Sequence, residues 1–528
     1  MSAQTLTRPS AHERAGMGRV ARGGALNLLG AAFSATAGFA ATWLVAKGLG
    51  QTEAGVLFAA TSAFLVSTVV AKLGTTTGLV YWLARLRALG RVDLMRRCVV
   101  IALRPVVLAS ALASVGLWWA APLLRRSPDF VSQVRLVAFF VPLAVLSDAL
   151  LAATRGYRTM RATVLVEKLA RPALQVAVLG AVLLIGGATG AYTLAWIAPY
   201  ALSAALAAAW LAHVMRTQRP ARPARVGVGH IGWEFWSFTG PRALASLAQL
   251  ALQRLDVLLV AALLGFAPAA VYTVAARFVV AGQFANQAIA TAVEPRLAEL
   301  LAAADLRAAN ALYQDATAWV VLLVWPVYLG VAAFAPAYLS LFGHGYAGHG
   351  ALAVVVIMAA AGLLANASGM VDVVLAMAGR TGWNMANVTL ALIVNVGLNL
   401  LLIPRIGIAG AAWAWFAALA VKNAVPLVQI AVTLRIHPFG KATLLSYPLG
   451  LVCFGGVGLA ARVLFGAGLV GCAATVVVAV PLYAAAVWAL RGPLHLSAFA
   501  ALRRTPRRTP RRTARHAAAR SSRSTQRP

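Results

Sequence analysis

Ten charged side chains fall inside stretches that are otherwise apolar: Lys72, Arg104, Arg135, Arg242, Arg254, Arg277 and Lys422, against Asp148, Asp256 and Asp372. A charge at the centre of a bilayer costs about 2.5–3.5 kcal/mol on insertion scales, so each marks a structural pair or a place where charge is used. Seven cations face three carboxylates. That excess suits an anionic substrate. Arg104 lies about 9 Å from the cytoplasmic end of its apolar run, counted as helix, near enough to snorkel. Arg135 and Arg242 sit at ends of their runs. Asp148 and Asp372 are each within about two helical turns of a cytoplasmic end, near Arg155 and Arg380. Each reads either as half of a structural pair or as an ion-coupling group.

Asp256 and Arg277 stand about ten residues on either side of a turn centred near Phe266–Ala267. Equal depth on adjacent antiparallel helices favours an ion pair between them; left unpaired, Asp256 is a third ion-coupling candidate. If they pair, Arg254 is the uncompensated cation of that hairpin, roughly 19 Å below the turn. Lys72 and Lys422 are similarly deep. Arg254, Lys72, Lys422 and Arg277 are therefore the expected anion-binding set. Asn387, Asn395 and Asn399 are spaced by eight and four, which puts them on one helix face. Amides cannot face lipid unsatisfied, so this face points into protein or a wet cavity. Interhelical hydrogen bonding is one reading; sugar contact through Asn395 and Asn399 is the other.

Other chemistry is missing. There is no GxxxxGK[ST] phosphate loop, no paired carboxylates and no nucleophile arrangement. Cys98, Cys453 and Cys472 lie in apolar runs without CxxC spacing. His344 and His349 sit among glycines in an external loop, where loop polarity explains them more simply than a metal does. No cofactor, no metal and no catalysis is expected.

The elements that must position these residues are membrane helices. The chain has 528 residues, of which 61% are hydrophobic and only 11% charged, with a mean hydropathy of +0.81. A soluble domain is about 25% charged. This composition excludes a soluble enzyme, a disordered chain and a collagen. Fourteen runs reach the length of about 20 residues needed to cross a bilayer: 23–46, 54–80, 98–121, 134–154, 164–185, 189–213, 240–263, 268–293, 314–340, 350–378, 382–403, 406–433, 442–463 and 467–489. With the N-terminus in the cytoplasm, inside segments hold 34 Lys and Arg and outside loops hold 5. That asymmetry orients the protein with both termini inside. It also accounts for the net charge of +33 without nucleic acid.

The longest polar internal segment, Met215–His230, carries Arg216, Arg219, Arg222 and Arg225 along with Pro220 and Pro223. It separates six spans from eight. The expected plan begins with a cytoplasmic tail at 1–22, an N-lobe of six helices at 23–213 and a basic linker at 214–239. It continues with a C-lobe of six helices at 240–434, two further helices at 435–490 and a basic disordered cytoplasmic tail at 491–528. The lobes carry a repeat: 44–60 and 259–275 are identical at 8 of 17 positions, with Gly50 aligned to Gly265. Parallel repeats of this kind build transporters with a site between the lobes.

The helix–LeuGly–turn–helix at 44–57, its echo at 259–272, and Asn399 followed by Pro404, Gly407 and Gly410-Ala411-Ala412 resemble the polysaccharide (lipid-linked oligosaccharide) flippases. These belong to the multidrug/oligosaccharidyl-lipid/polysaccharide exporter superfamily. The resemblance covers roughly residues 20–490. It implies an all-α polytopic fold of about fourteen helices, in two pseudo-symmetric six-helix lobes plus two. It implies a flippase of the cytoplasmic membrane that moves a polyprenyl-pyrophosphate-linked oligosaccharide by alternating access, with a polysaccharide polymerase as candidate partner. A cation-coupled drug exporter of the same superfamily and a membrane enzyme of envelope glycan assembly are the alternatives. The Arg-rich end, Arg503–Pro528, is expected to lie on the anionic inner leaflet, where each Arg gains about 1 kcal/mol.

The charge asymmetry makes a direct prediction. Cysteines introduced at Gly348 and Gln218 should label from opposite sides of the membrane; labelling from one side would overturn the topology.

Overall fold

The computed structural model describes residues 11–124, 127–218, 231–348 and 350–496. Among these, every regular element is a helix. Fourteen long helical units run in sequence, with one short α-helix, Ala335–Ser340, between the ninth and the tenth. The first six are α1 Ala11–Gly48, α2 Gln51–Ala88, α3 Val92–Leu124, α4 Pro128–Gly156, α5 Thr163–Ile185 and α6 Thr189–Thr217. The next six are α7 Ile231–Leu263, α8 Phe266–Ala275 with Val279–Ala302, α9 Leu306–Ala333, α10 Ala351–Met377, α11 Thr381–Ile406 and α12 Ile408–Leu434. The last two are α13 Lys441–Phe465 and α14 Leu469–Ala489. A membrane leaves no alternative for such apolar chain, because the helix satisfies its own backbone. Leu112, Val115, Trp119 and Leu123 form an exposed stripe on α3, the face presented to lipid.

Thirteen candidate spans are found among the described residues. The expected fourteenth, 268–293, differs: α8 breaks at 276–278, and neither piece alone has the length and hydropathy of a span. The linker is shorter than its composition suggested, since α7 already begins at Ile231 and only 219–230 lie outside the described residues. Helix α1 begins at Ala11, within the expected N-terminal tail. At the other terminus, Leu494 is buried. Its carbonyl accepts from the Trp319 indole at 3.3 Å, and His495 Nδ1 meets Asp315 at 2.8 Å. The Arg-rich segment 503–528 lies outside the described residues.

Of the prolines inside spans, two coincide with interruptions: Pro142 follows the break at Phe140 and Pro199 follows the break at Ala198. Pro448 stands just before a π-helical stretch, Leu451–Gly456. Pro105, Pro326, Pro426 and Pro481 lie within continuous helix. Three other breaks have no proline. One is at Leu73 and Gly74 in α2, both left-handed, with φ of 48° and 73°. The others are the break in α8 and one in α10 at 368–370, where Gly369 has φ 68°.

The repeated turn is present twice. Gly50 precedes α2 as Gly265 precedes α8, and Gly265 has φ 112°, a conformation other residues rarely adopt. The copies meet each other: a Cβ on Gly55 would stand 1.8 Å from the carbonyl oxygen of Phe266. The same end is closed by Phe130 against Phe266 (5.1 Å between ring centroids), Phe39 against Phe342 (5.3 Å), and Trp43 Nε1 donating to the Leu341 carbonyl at 2.8 Å. At the opposite end, α2 touches the other lobe again. Gly78 packs on Thr239, and Tyr81 stacks on Phe238 at 4.0 Å. A space bounded at both ends remains between the lobes.

Gly55→Leu should lower the thermal unfolding midpoint, because overpacking costs about 1–3 kcal/mol and backbone is the obstruction. Gly116→Ala, where a Cβ meets nothing within 4 Å, should leave the midpoint unchanged or raised. Equal midpoints for Gly55→Leu and the parent would refute the tight contact.

Candidate functional site

Between the lobes lies a cavity of about 230 Å³. Helix α1 lines it with Ser34, Gly38 and Thr42, and α2 with Thr61 and Ser62. Arg171 and Gln175 reach it from α5, Trp196 and Tyr200 from α6, Arg254 from α7, and Thr273 and Arg277 from α8. Three guanidinium groups therefore share one cavity whose lining contains no carboxylate. A second cavity of about 130 Å³ shares the walls Arg254, Thr273 and Arg277 and adds Gln253, Asp256, Tyr272 and Gln283.

Two of the three arginines are placed by a local irregularity. Arg277 occupies the break in α8 and reaches across to α1, where a Cβ on Gly38 would stand 2.6 Å from its Nη2. Glycine at 38 leaves the room that the guanidinium takes. Arg171 comes directly after the π-helical turn Thr163–Ala170; the wider turn shifts the register of the rest of α5, a device frequent at functional sites. Its guanidinium lies 4.6 Å from the centroid of the Tyr200 ring and 3.8 Å from Asp148. Arg254 is presented by continuous helix, and its buried Nε has no hydrogen-bond partner.

Asp256 does not pair with Arg277. Its carboxylate, 3% exposed, accepts from Tyr272 OH and from Asn399 Nδ2, each at 2.9 Å. Equal depth fixes the two charges to one level but not to one face. Beside Asp256, Asn395 has neither amide atom in hydrogen-bond geometry, and Asn399 Oδ1 is also without a partner. Asn387 exchanges two hydrogen bonds with Gln429, at 2.8 and 3.1 Å. The shared asparagine face is thus buried against neighbouring helices, and none of the three lines either cavity.

Lys72 stands away from the cavity, ion-paired with Asp148. Lys422 lines neither cavity. Asp372 is exposed, and its Oδ1 accepts from the Val373 backbone at 3.0 Å rather than from Arg380. Arg104 is exposed, Arg135 lies over Trp118 at 5.1 Å and Arg242 over Phe238 at 3.7 Å, and none of the three lines either cavity. Sequence reasoning therefore brings Arg254 and Arg277 to the site and misses Arg171. By position alone that residue groups with the basic loop of Arg155, Arg158, Arg161 and Lys168.

No family model and no curated protein matches the sequence. Solved structures do match. The chain superposes on a lipid II flippase, MurJ, in an inward closed conformation with a TM-score of 0.65 and 11% identity, covering 87% of this chain and 99% of that one. It superposes on an inward-facing multidrug resistance MATE family transporter of the MOP superfamily with a TM-score of 0.60 and 14% identity, covering 76% and 94%. The fold is that of the MOP-superfamily transporters. A further member with this fold is a Pyrococcus furiosus transporter, for which a reversed polarity of the binding pocket suggests a different function. It matches at a TM-score of 0.54 and 13% identity over 79% of this chain and 95% of that one. The matched structures are of transporters and a flippase, and at such identities the likeness is one of fold. Substrate must be argued from the cavity.

Proposed function

We propose that this protein is a flippase carrying a polyprenyl-pyrophosphate-linked oligosaccharide from the inner to the outer leaflet of the cytoplasmic membrane, by alternating access, for cell-surface polysaccharide assembly. One observation supports the reading above others: Arg171, Arg254 and Arg277 line a cavity between the lobes that has no carboxylate in its lining. A pyrophosphate offsets that charge. Guanidinium suits it because its fork of donors meets phosphate oxygens two at a time. The hydroxyls of Ser34, Thr42, Thr61 and Ser62 and the amide of Gln175 suit a sugar beside it, while the lipid stays in the bilayer. The cavity is smaller than the roughly 300–1,000 Å³ of ligand pockets generally, as fits a state bounded at both ends.

In this reading Asp256 is the coupling group. It borders the second cavity, and unpartnered amide oxygens stand beside it. Lys72 and Lys422 do not touch the substrate, Asp148 is held chiefly by Lys72, and Asp372 remains outside the site. Both termini face the cytoplasm, the basic tail lies on anionic lipid, and a polysaccharide polymerase takes the product. A drug exporter with a cationic substrate fits the same fold, but three arginines would repel that substrate.

Arg254→Ala should insert normally and lose transport by about 10- to 100-fold, the worth of a hydrogen bond to a charged group. Arg254→Lys should retain part of the activity. The readout is the lipid-linked intermediate that accumulates on the inner leaflet of a deletion strain. Clearance by Arg254→Ala at the parental rate would contradict the assignment.

A further inference from the structure

Behind the cavity wall, and reaching it through Arg171, lies a cluster of six charged groups. Lys72 comes from α2, Asp148 and Arg155 from α4, and Glu167, Lys168 and Arg171 from α5; Arg155 and Glu167 stand within electrostatic reach of Asp148, and Lys168 within reach of Glu167. Four cations face two carboxylates. Asp148 is shared unequally among them. Its Oδ2 is in direct contact with Lys72 Nζ, whereas its Oδ1 stands 3.8 Å from Arg171 Nη1. A charge-assisted hydrogen bond spans about 2.7–2.9 Å, so Arg171 is held by charge alone. Its other supports are the face of Tyr200 and the Glu167 carboxylate within electrostatic reach, and among the described residues it donates no hydrogen bond. Its donors are therefore uncommitted on the cavity side.

We propose that Asp148 is a positioning residue that competes with the ligand for Arg171: it neutralises Arg171 while the cavity is empty and releases it, keeping Lys72, when an anion enters. The inference rests on the anionic-ligand reading given above. Lys72 is what makes the exchange balanced. Without it, Asp148 would have Arg171 as its nearest cation and would hold it more firmly; with it, the carboxylate keeps a partner after release. Position gives the exchange a mechanical consequence. Lys72 is the last residue of the first part of α2, immediately before the left-handed pair Leu73 and Gly74. Arg171 is the first residue after the π-helical turn of α5. An anion that draws Arg171 forward thus changes the load on the one irregular point of α2, and α2 is the helix that touches the other lobe at both ends.

The test is binding of inorganic pyrophosphate to the purified full-length chain, by titration calorimetry at low salt, alongside the thermal unfolding midpoint of each variant. Asp148→Asn removes the competitor and should tighten binding about 2- to 5-fold, the worth of an ion pair without close contact. Lys72→Met leaves Arg171 as the nearest cation of Asp148 and should weaken binding by a similar factor. Asp148→Glu should behave as the parent. Opposite signs for the first two are the signature, because a purely structural pair would weaken binding in both or in neither. Asp148→Asn that folds and binds no tighter than the parent overturns the proposal. If Asp148→Asn does not fold, the double variant with Lys72→Met removes the pair together and should bind more tightly than the parent; unchanged or weaker binding there, or failure to fold, assigns the pair to stability alone. A parent chain that binds no pyrophosphate overturns the anion reading itself, and is told apart from these by that fact.

Discussion

Three guanidinium groups in a shared cavity, with no carboxylate among its walls, form the constraint on which the rest of the structure depends. Each cation in the membrane costs about 2.5–3.5 kcal/mol unless something offsets it, and unit charges about 8 Å apart at an effective dielectric near 20 still repel by about 2 kcal/mol. The protein meets this with geometry. Gly38 yields space to Arg277, Tyr200 offers its ring to Arg171, and Asp148 stands 3.8 Å behind it. Arg254 retains a buried Nε without a partner. What these arrangements leave uncompensated is a demand for an anion.

Charge of the opposite sign is kept next door and occupied. Asp256 borders the second cavity, whose walls include Arg254 and Arg277, yet its carboxylate is committed to Tyr272 and Asn399. Had it paired with Arg277, the cavity would have lost a third of its positive charge. The hydrogen bonds that hold Asp256 therefore preserve the sign of the site. The same division holds in the N-lobe, where Lys72 takes most of Asp148 and leaves it only a weak hold on Arg171, 3.8 Å away.

Much of this is legible in the sequence because bilayers restrict what a chain can do. Apolar runs of about 20 residues give helices, and the Gly50 and Gly265 turns of the internal repeat stand at matching helix junctions that pack on each other at Gly55 and Phe266. Arg254 and Arg277 stand out as deep charges, and the asparagine face as a period. What sequence cannot supply is which face a charge occupies. Asp256 and Arg277 share a depth but not a contact. Lys72 reads as a cavity residue because Asp148, 76 positions away, is brought to it only by the packing of α2 on α4. Arg171 sits among basic loop residues, and a π-helical turn defeats reasoning from a period of 3.6. The break in α8 likewise has no proline to announce it.

The central claim is that the cavity selects its ligand by negative charge. The most direct measurement is transbilayer transfer in liposomes reconstituted with the full chain, comparing fluorescent lipids of one tail type with pyrophosphate, uncharged and quaternary ammonium head groups. The account expects protein-dependent transfer of the pyrophosphate lipid well above the other two. Equal rates for the three, or a preference for the quaternary ammonium lipid, would contradict it.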